Sequence, residues 1–207
     1  MIIHNEPVAT AGTPLEGAEK VVVMLHGRGD RADNFIQFSD SFSAEKTAFL
    51  APQAIQNTWY PFSFLEAIER NEPQLSLSLS GVEELMDNLE GLGFASSRIY
   101  LLGFSQGACL SLEYSARHAR RYGGIIAFTG GLIGPQVDLA RYHGDFEGTP
   151  VFIGGSDRDP HVPAARIDES EQVLTDMGAK VTKHIYPGMG HTIIQEEIDA
   201  AQKTLTT

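Results

Sequence analysis

Residues 99–110 read IYLLGFSQGACL, an apolar run that passes through a Gly-X-Ser-X-Gly pattern into a segment of small residues. The run Ile99 to Leu102 predicts a buried strand, and the small residues from about Ser105 predict a helix. A serine between glycines suits a tight, strained strand-to-helix turn, because glycines remove the Cβ atoms that would clash there. The pattern alone is not decisive, because it can also arise by chance, so the flanking strand and helix carry the interpretation. It predicts that Ser105 is a nucleophile.

Other apolar runs lie on both sides of this turn, at residues 21–25, 48–50, 125–128 and 151–153. Continuous runs of this kind indicate strands that are buried on both faces, as in a parallel sheet covered by helices. Residues Lys180 to Tyr186 alternate in polarity instead, which predicts a half-exposed edge strand near the end of the chain.

Apolar residues at helical spacing occupy the gaps between these runs. The stripes are Phe35, Phe38 and Phe42; Val82, Leu85, Met86 and Leu89; Ile167, Leu174 and Met177, with Gly178 as a C-cap; and Ile194, Ile198 and Ala201. Strand and helix therefore alternate from about residue 20 onward, which predicts one α/β domain over residues 1–207. We expect a doubly wound, mostly parallel central sheet with helices on both faces.

Residues from about 57 to 78 fit neither periodicity and contain Pro61 and Pro73. A long irregular connection in a compact domain is often a lid or a binding loop. An irregular crossover whose aromatic residues only cover the sheet is an equally good interpretation.

Composition excludes several functional classes. The 207 residues carry a formal net charge of −12, and such an acidic surface repels nucleic-acid phosphates and anionic membranes. Cys109 is the single cysteine, which excludes an internal disulfide and a multi-cysteine metal site. No apolar run approaches the length of a membrane span, and residues 1–7 lack the features of a secretory signal. We therefore expect a cytoplasmic protein.

A serine nucleophile needs a base, and where such a turn carries a nucleophile the acid and then the histidine follow the serine along the chain. His191 lies in a glycine-rich loop at residues 187–191, after the last predicted strand. Such a loop can bring an imidazole over the carboxyl edge of the sheet. Other histidines lie on a helix, in a polar loop and in the alternating strand: His118, His143 and His184. His191 is the candidate base.

The turn after the strand at 151–153 offers two acids, Asp157 and Asp159. Either could orient the histidine, and the other would then be an ordinary turn former. The spacing Asp157-X-Asp159-X-His161 could also hold a metal ion, but no further ligands cluster there, so we expect no metal.

The loop after the first buried run reads LHGRGD at residues 25–30. A backbone N–H from this loop can join the N–H after the nucleophile in binding an oxyanion. Arg28 and Gln106 are the residues in those two places. A Gly-X-Gly pattern is weak evidence alone, and it is too short for a dinucleotide fingerprint.

Four segments together resemble the phospholipase/carboxylesterase family of α/β-hydrolases, which includes the acyl-protein thioesterases. They are LHGRGD at 25–30, GFSQG at 103–107, DPHVP at 159–163 and GMGH at 188–191. The resemblance extends from about residue 18 to 204. It implies an α/β-hydrolase fold with Ser105 as nucleophile, His191 as base and Asp159 as acid, because the family's Asp-Pro-X-Val-Pro segment matches Asp159. It also implies an oxyanion hole from the N–H groups of Arg28 and Gln106, no cofactor, and often a homodimer.

The resemblance implies a serine carboxylesterase that hydrolyses short- to medium-chain carboxylic esters, or alternatively an acyl-protein thioesterase or lysophospholipase that takes thioesters or lipids. A non-catalytic binding protein on the same fold is another alternative, and a peptidase or acyltransferase is a further one. Residues 59–64 resemble the bacterial esterases of the family more than its lipid-handling members. We expect substrate contacts from Trp59, Tyr60, Leu132 and Met189. Arg28 stands where the thioesterases commonly carry an apolar residue; its side chain either favours an acyl group with a carboxylate or is simply solvated.

Overall fold

The computed structural model describes residues 1–3 and 6–206. Seven strands form the main sheet: β1 (Ala9–Gly12), β2 (Lys20–Leu25), β3 (Thr47–Ala51), β4 (Ile99–Phe104), β5 (Gly124–Phe128), β6 (Pro150–Ser156) and β7 (Lys180–Tyr186). Their spatial order is β1-β3-β2-β4-β5-β6-β7, with β1 antiparallel to β3 and every other pair parallel. A separate short ladder pairs Ile2–Ile3 with Glu6–Pro7.

The sheet confirms the predicted mostly parallel α/β-hydrolase fold. β7 lies at an edge and alternates between exposed and half-buried residues, as its sequence pattern predicts. β1 was not predicted, because the sequence Ala-Thr-Ala-Gly contains no run of large apolar residues. Its place at the other edge is set by pairing with β3 rather than by its own residues.

The described residues form six α-helices, of which the last follows β7: α1 (Ala32–Phe35), α2 (Ile68–Asn71), α3 (Gln74–Gly91), α4 (Gln106–Arg117), α5 (Ala164–Asp176) and α6 (Gln195–Leu205). The stripe at residues 35–42 is not one α-helix, because α1 passes into a 3-10 segment at Ile36–Ser41. Its rings nevertheless cluster, with Phe38 edge-on to Phe42 at 5.4 Å between centroids.

The segment predicted to be irregular from about 57 to 78 ends earlier than expected. It contains the short helix α2, and α3 already begins at Gln74. Pro73 precedes the first turn of α3, where the missing N–H of proline removes no helical hydrogen bond. Leu75 and Leu79 then continue the apolar stripe of α3 toward its N-terminus, and both are buried.

Helices cover both faces of the sheet. Alternate residues of β2 divide between the two layers, with Val23 in the cluster that contains α3, α4 and α5, and Met24 in the cluster that contains α1 and α6. The chain moves outward from β2 to β3 and then returns to β4 on the other side of β2. The carboxyl ends of β2 and β4 therefore flank the point where the strand order reverses, which is where α/β sheets bind ligands.

Candidate active site

Ser105 occupies a strained turn between β4 and α4. Its backbone has φ 54° and ψ −116°, which is rare for a residue with a side chain. The turn is tied to the next strand by a hydrogen bond from the Ser105 N–H to the Phe128 carbonyl at 2.9 Å. A Cβ on Gly103 would collide with the backbone of Gly107, and a Cβ on Gly107 would collide with the carbonyl of Leu25. The two glycines are therefore required by close backbone contacts.

A chain of two hydrogen bonds leads from Ser105 through His191 to Asp159. The Ser105 Oγ lies 2.8 Å from His191 Nε2, and His191 Nδ1 lies 2.7 Å from Asp159 Oδ2. The Asp159 side chain is fully buried, while that of His191 is 22% exposed. The His191 ring is also packed between Phe104 and His161, with ring centroids at 5.3 Å and 4.8 Å. This geometry can transfer the hydroxyl proton of serine to an oriented imidazole.

The two candidate acids have different partners. Asp159 Oδ1 accepts hydrogen bonds from the backbone N–H groups of His161 at 2.7 Å and Val162 at 2.9 Å. Burial opposes ionisation of Asp159, but these two bonds and the one from His191 together lower its pKa. Asp157 instead accepts from the backbone N–H of Gly188 at 2.7 Å, and so holds the start of the loop that carries His191.

The loop after β2 lies against the start of α4. A Cβ on Gly107 would meet the carbonyl oxygens of both Leu25 and His26, so the two backbones are in direct contact. Gly29 has φ 80°, which turns the chain just beyond Arg28. Among the described residues, the backbone N–H groups of Arg28 and Gln106 have no protein acceptor. They are available to an oxyanion.

The side chains of Gln106 and Arg28 hold residues 58–62, which we call the wall segment. Gln106 Oε1 accepts from the Trp59 N–H at 2.9 Å and from Thr58 Oγ1 at 3.1 Å, and its amide donates to the Tyr60 carbonyl at 2.7 Å. Arg28 donates to the carbonyls of Pro61 and Phe62 and to Thr58 Oγ1. The residues that supply the two free N–H groups therefore also fix this segment.

A cavity of about 650 Å³ opens over Ser105 and His191. Its lining consists of Arg28, residues 60–65, Phe104, Ser105, Gln106, Cys109, residues 160–162 and His191. Tyr60, expected to contact substrate, is part of this lining. Trp59, Leu132 and Met189 are not: Trp59 and Leu132 are buried in the core, and the Trp59 indole donates to the His26 carbonyl.

Cys109 lines the cavity one helical turn after Ser105 but is unsuited to act as a second nucleophile. Burial raises the pKa of its thiol to about 12, so the thiol stays protonated at neutral pH. Its sulfur accepts a hydrogen bond from the Gly131 N–H at 3.5 Å. Its role is packing.

Three further residues support the site in roles that the sequence did not predict. Thr58 links the side chains of Arg28 and Gln106 through its hydroxyl. His26 is buried, and burial lowers its pKa, so the neutral ring accepts from the Ala54 N–H at 3.2 Å. His161 lies against His191. His26 and His161 lie within the segments LHGRGD and DPHVP, but only the structure shows the contacts of these two residues and of Thr58.

No group of three or more His, Cys, Asp or Glu residues in the described ranges could hold a metal ion. None of the helices in the described part of the chain is long and apolar enough to cross a membrane.

The chain is similar to proteins of known family. The model of the phospholipase/carboxylesterase family matches residues 9–207. Acyl-protein thioesterase 1 from Gibberella zeae is 27% identical, with 89% of this chain and 88% of that protein covered. Acyl-protein thioesterase 1 from Saccharomyces cerevisiae is 26% identical, with coverages of 89% and 91%. A crystal structure of a phospholipase/carboxylesterase from Dyadobacter fermentans is 46% identical, with a TM-score of 0.95 and coverages of 100% and 99%. The chain therefore belongs to the phospholipase/carboxylesterase family of serine hydrolases.

Proposed function

We propose that this chain is a serine carboxylesterase that hydrolyses short- to medium-chain carboxylic esters through an acyl-enzyme. The observation that carries the proposal is the hydrogen-bonded chain from Ser105 through His191 to Asp159, which ends at a cavity of about 650 Å³. That volume lies within the range of small-molecule sites.

In the proposed reaction, His191 Nε2 takes the proton of Ser105 as its oxygen attacks the ester carbonyl. Asp159 holds the imidazole with Nδ1 protonated and stabilises the imidazolium that forms. The imidazolium then gives its proton to the leaving alcohol, and an acyl-serine remains. Water, deprotonated by the same histidine, releases the acid and restores Ser105.

The backbone N–H groups of Arg28 and Gln106 are the proposed donors to the oxyanion of each tetrahedral intermediate. Their lack of a protein acceptor supports this role, and so does the position of Gln106 at the first residue of α4. The positive end of the helix dipole then points at the developing negative charge.

A thioesterase activity is the second candidate, and two fungal relatives named acyl-protein thioesterase 1 favour it as much as a carboxylesterase. The chemistry of the acyl-enzyme would be the same, since only the leaving atom changes from oxygen to sulfur. A lysophospholipase would need the cavity to take a long acyl chain. The length of the acyl chain that reacts fastest therefore discriminates between these candidates.

The test is the initial rate of hydrolysis of p-nitrophenyl esters from acetate to dodecanoate, with Ser105→Ala alongside. A matched series of acyl thioesters of the same chain lengths measures the second candidate. We expect activity that depends on Ser105 and is highest with short or medium chains. A fluorophosphonate probe should label the wild type and not Ser105→Ala. No labelling and no Ser105-dependent activity in either series would contradict the proposal and favour a non-catalytic binding protein.

A further inference from the structure

The guanidinium group of Arg28 is held at the cavity by neutral partners. Its Nη1 donates to Thr58 Oγ1 at 3.2 Å and to the Pro61 carbonyl at 2.7 Å, and its Nη2 donates to the Phe62 carbonyl at 2.5 Å. A guanidinium has five N–H donors, so these three bonds leave one on Nη2 and the one on Nε. Two donors of a fixed cation therefore remain for another acceptor.

The charge of Arg28 is not balanced by a carboxylate. Among the described residues, Arg28 forms none of the ion pairs found in the chain. The cavity lining contains no Asp or Glu side chain, although the chain as a whole carries 27 of them. The nearby carboxylate of Asp159 is fully buried behind His191 and engaged by it. A permanent positive charge thus borders the cavity of an acidic protein.

We infer that the cavity selects esters that carry an anionic group, a carboxylate or a phosphate, a few bonds from the scissile carbonyl, and that the Arg28 side chain binds that group. The inference rests on the proposed ester hydrolysis and names its substrate class. Arg28 lines the same cavity as Ser105, and the side chain that would bind the anion belongs to the residue whose backbone N–H is a proposed donor to the oxyanion. Charge-assisted hydrogen bonds from a pre-positioned guanidinium are stronger and more selective than those between neutral groups.

The competing interpretation is that Arg28 only fastens the wall segment. If Arg28 only holds the wall segment in place, its removal disturbs the cavity for every substrate, so the activity on anionic and neutral esters falls by the same factor. If Arg28 binds the anionic group, its removal lowers kcat/KM more for the anionic ester than for the neutral one. The ratio of kcat/KM between a matched anionic and neutral ester therefore separates the two roles, whatever happens to the absolute rates.

The first substrate pair places the charge on the acyl side: p-nitrophenyl hemisuccinate and its neutral methyl ester, with spontaneous hydrolysis subtracted. The second pair places it on the alcohol side: 4-(butyryloxy)benzoate and its methyl ester. The variants are Arg28→Met, which keeps the apolar stem, and Arg28→Lys, which keeps the charge. Arg31→Met is the matched control, because Arg31 is three residues away, carries the same charge, pairs with Asp33 and does not line the cavity.

We expect the wild type to prefer the anionic member of one pair about 10-fold or more, and the pair that shows it identifies the side that meets Arg28. Arg28→Met should abolish this preference, Arg28→Lys should keep part of it, and Arg31→Met should keep it all. Added salt should weaken the preference in the wild type, because it screens the attraction.

The inference would be overturned if Arg28→Met lowered kcat/KM equally for the anionic and the neutral ester. It would also be overturned if the wild type preferred the anionic ester of neither pair. Ser105-dependent hydrolysis of the neutral esters would then show that the proposed ester hydrolysis itself still holds. Absence of hydrolysis and of fluorophosphonate labelling would instead reject the proposed function.

Discussion

Asp157 and Asp159 stand two positions apart and bind opposite ends of the same loop. Asp159 Oδ2 lies 2.7 Å from Nδ1 of His191, and Asp157 Oδ1 accepts from the Gly188 N–H at 2.7 Å. One carboxylate therefore orients the imidazole, and the other anchors the backbone that presents it.

This division of roles predicts different effects of two matched substitutions. Asp159→Asn should lower kcat by about 10²–10⁴, because an amide favours the wrong tautomer of His191 and cannot stabilise its charged form. Asp157→Asn should change kcat less than about 3-fold, since an amide oxygen still accepts from the N–H of Gly188. Steady-state kinetics on one p-nitrophenyl ester measures both, with circular dichroism as a check on folding. A larger loss for Asp157→Asn would reverse the assignment.

The Gln106 side chain should matter for stability and activity independently of its backbone N–H. Gln106→Ala leaves the buried Trp59 N–H without its acceptor, and the Tyr60 carbonyl keeps only the hydrogen bond from the Thr58 hydroxyl. We expect a loss of about 2–4 kcal/mol in the free energy of unfolding and a fall of about 10-fold in kcat/KM. Urea denaturation and ester kinetics measure these effects. Gln172→Ala is the control, because within the described ranges that exposed amide bonds only Asp176; a similar loss there would contradict the prediction.

Gly107 should tolerate no side chain. A Cβ there would collide with the Leu25 carbonyl, so Gly107→Ala must push α4 away from the loop that carries Arg28. We expect a loss of more than about 3 kcal/mol in the free energy of unfolding and no measurable esterase activity. At Gly91, near the end of α3, a Cβ would meet nothing within 4 Å. Gly91→Ala should stabilise the chain by about 0.5–1 kcal/mol. Equal thermal denaturation midpoints for the two variants would be inconsistent with this account.

Glu197 should make the chain less stable as the pH rises. Its carboxyl is buried in α6 against Gly154, and neither oxygen has a hydrogen-bond partner among the described residues. Burial raises its pKa from 4.5 to about 8. The folded chain therefore keeps a proton that the unfolded chain releases near pH 4.5, and the free energy of unfolding falls as the pH rises from about 4.5 to 8.

Glu197→Gln should remove this pH dependence and exceed the wild type in stability by about 1–3 kcal/mol above pH 8. Chemical denaturation at several pH values between 4.5 and 9 measures the slope. The exposed neighbour provides the control, since Glu196→Gln should keep the slope of the wild type. If the free energy of unfolding changed with pH in the same way in the wild type and in Glu197→Gln, this carboxyl would not titrate as described.

The sequence predicted the parts of the fold that local patterns encode. Continuous apolar runs marked five of the seven strands of the main sheet, because residues buried on both faces must be apolar over their whole length, and the alternating pattern marked the edge strand β7. The turn at Ser105 was also predictable, since its glycines are required by close contacts with the backbone within the turn itself and with β2. β1 and the start of α3 were not predicted correctly, because pairing with β3 and the cap at Pro73 decide them.

The candidate site divides in the same way. Residue order and loop composition singled out Ser105 and His191, whereas the residues alone left Asp157 and Asp159 equal. The bonded pairs Ser105–His191 and His191–Asp159 are separated by 86 and 32 positions along the chain, so their geometry depends on how the carboxyl ends of β4, β6 and β7 converge. Tertiary packing likewise decides that Tyr60 lines the cavity while Trp59 is buried in the core. A hydrogen bond is short and directional, and only the packed sheet brings its two ends within reach of each other.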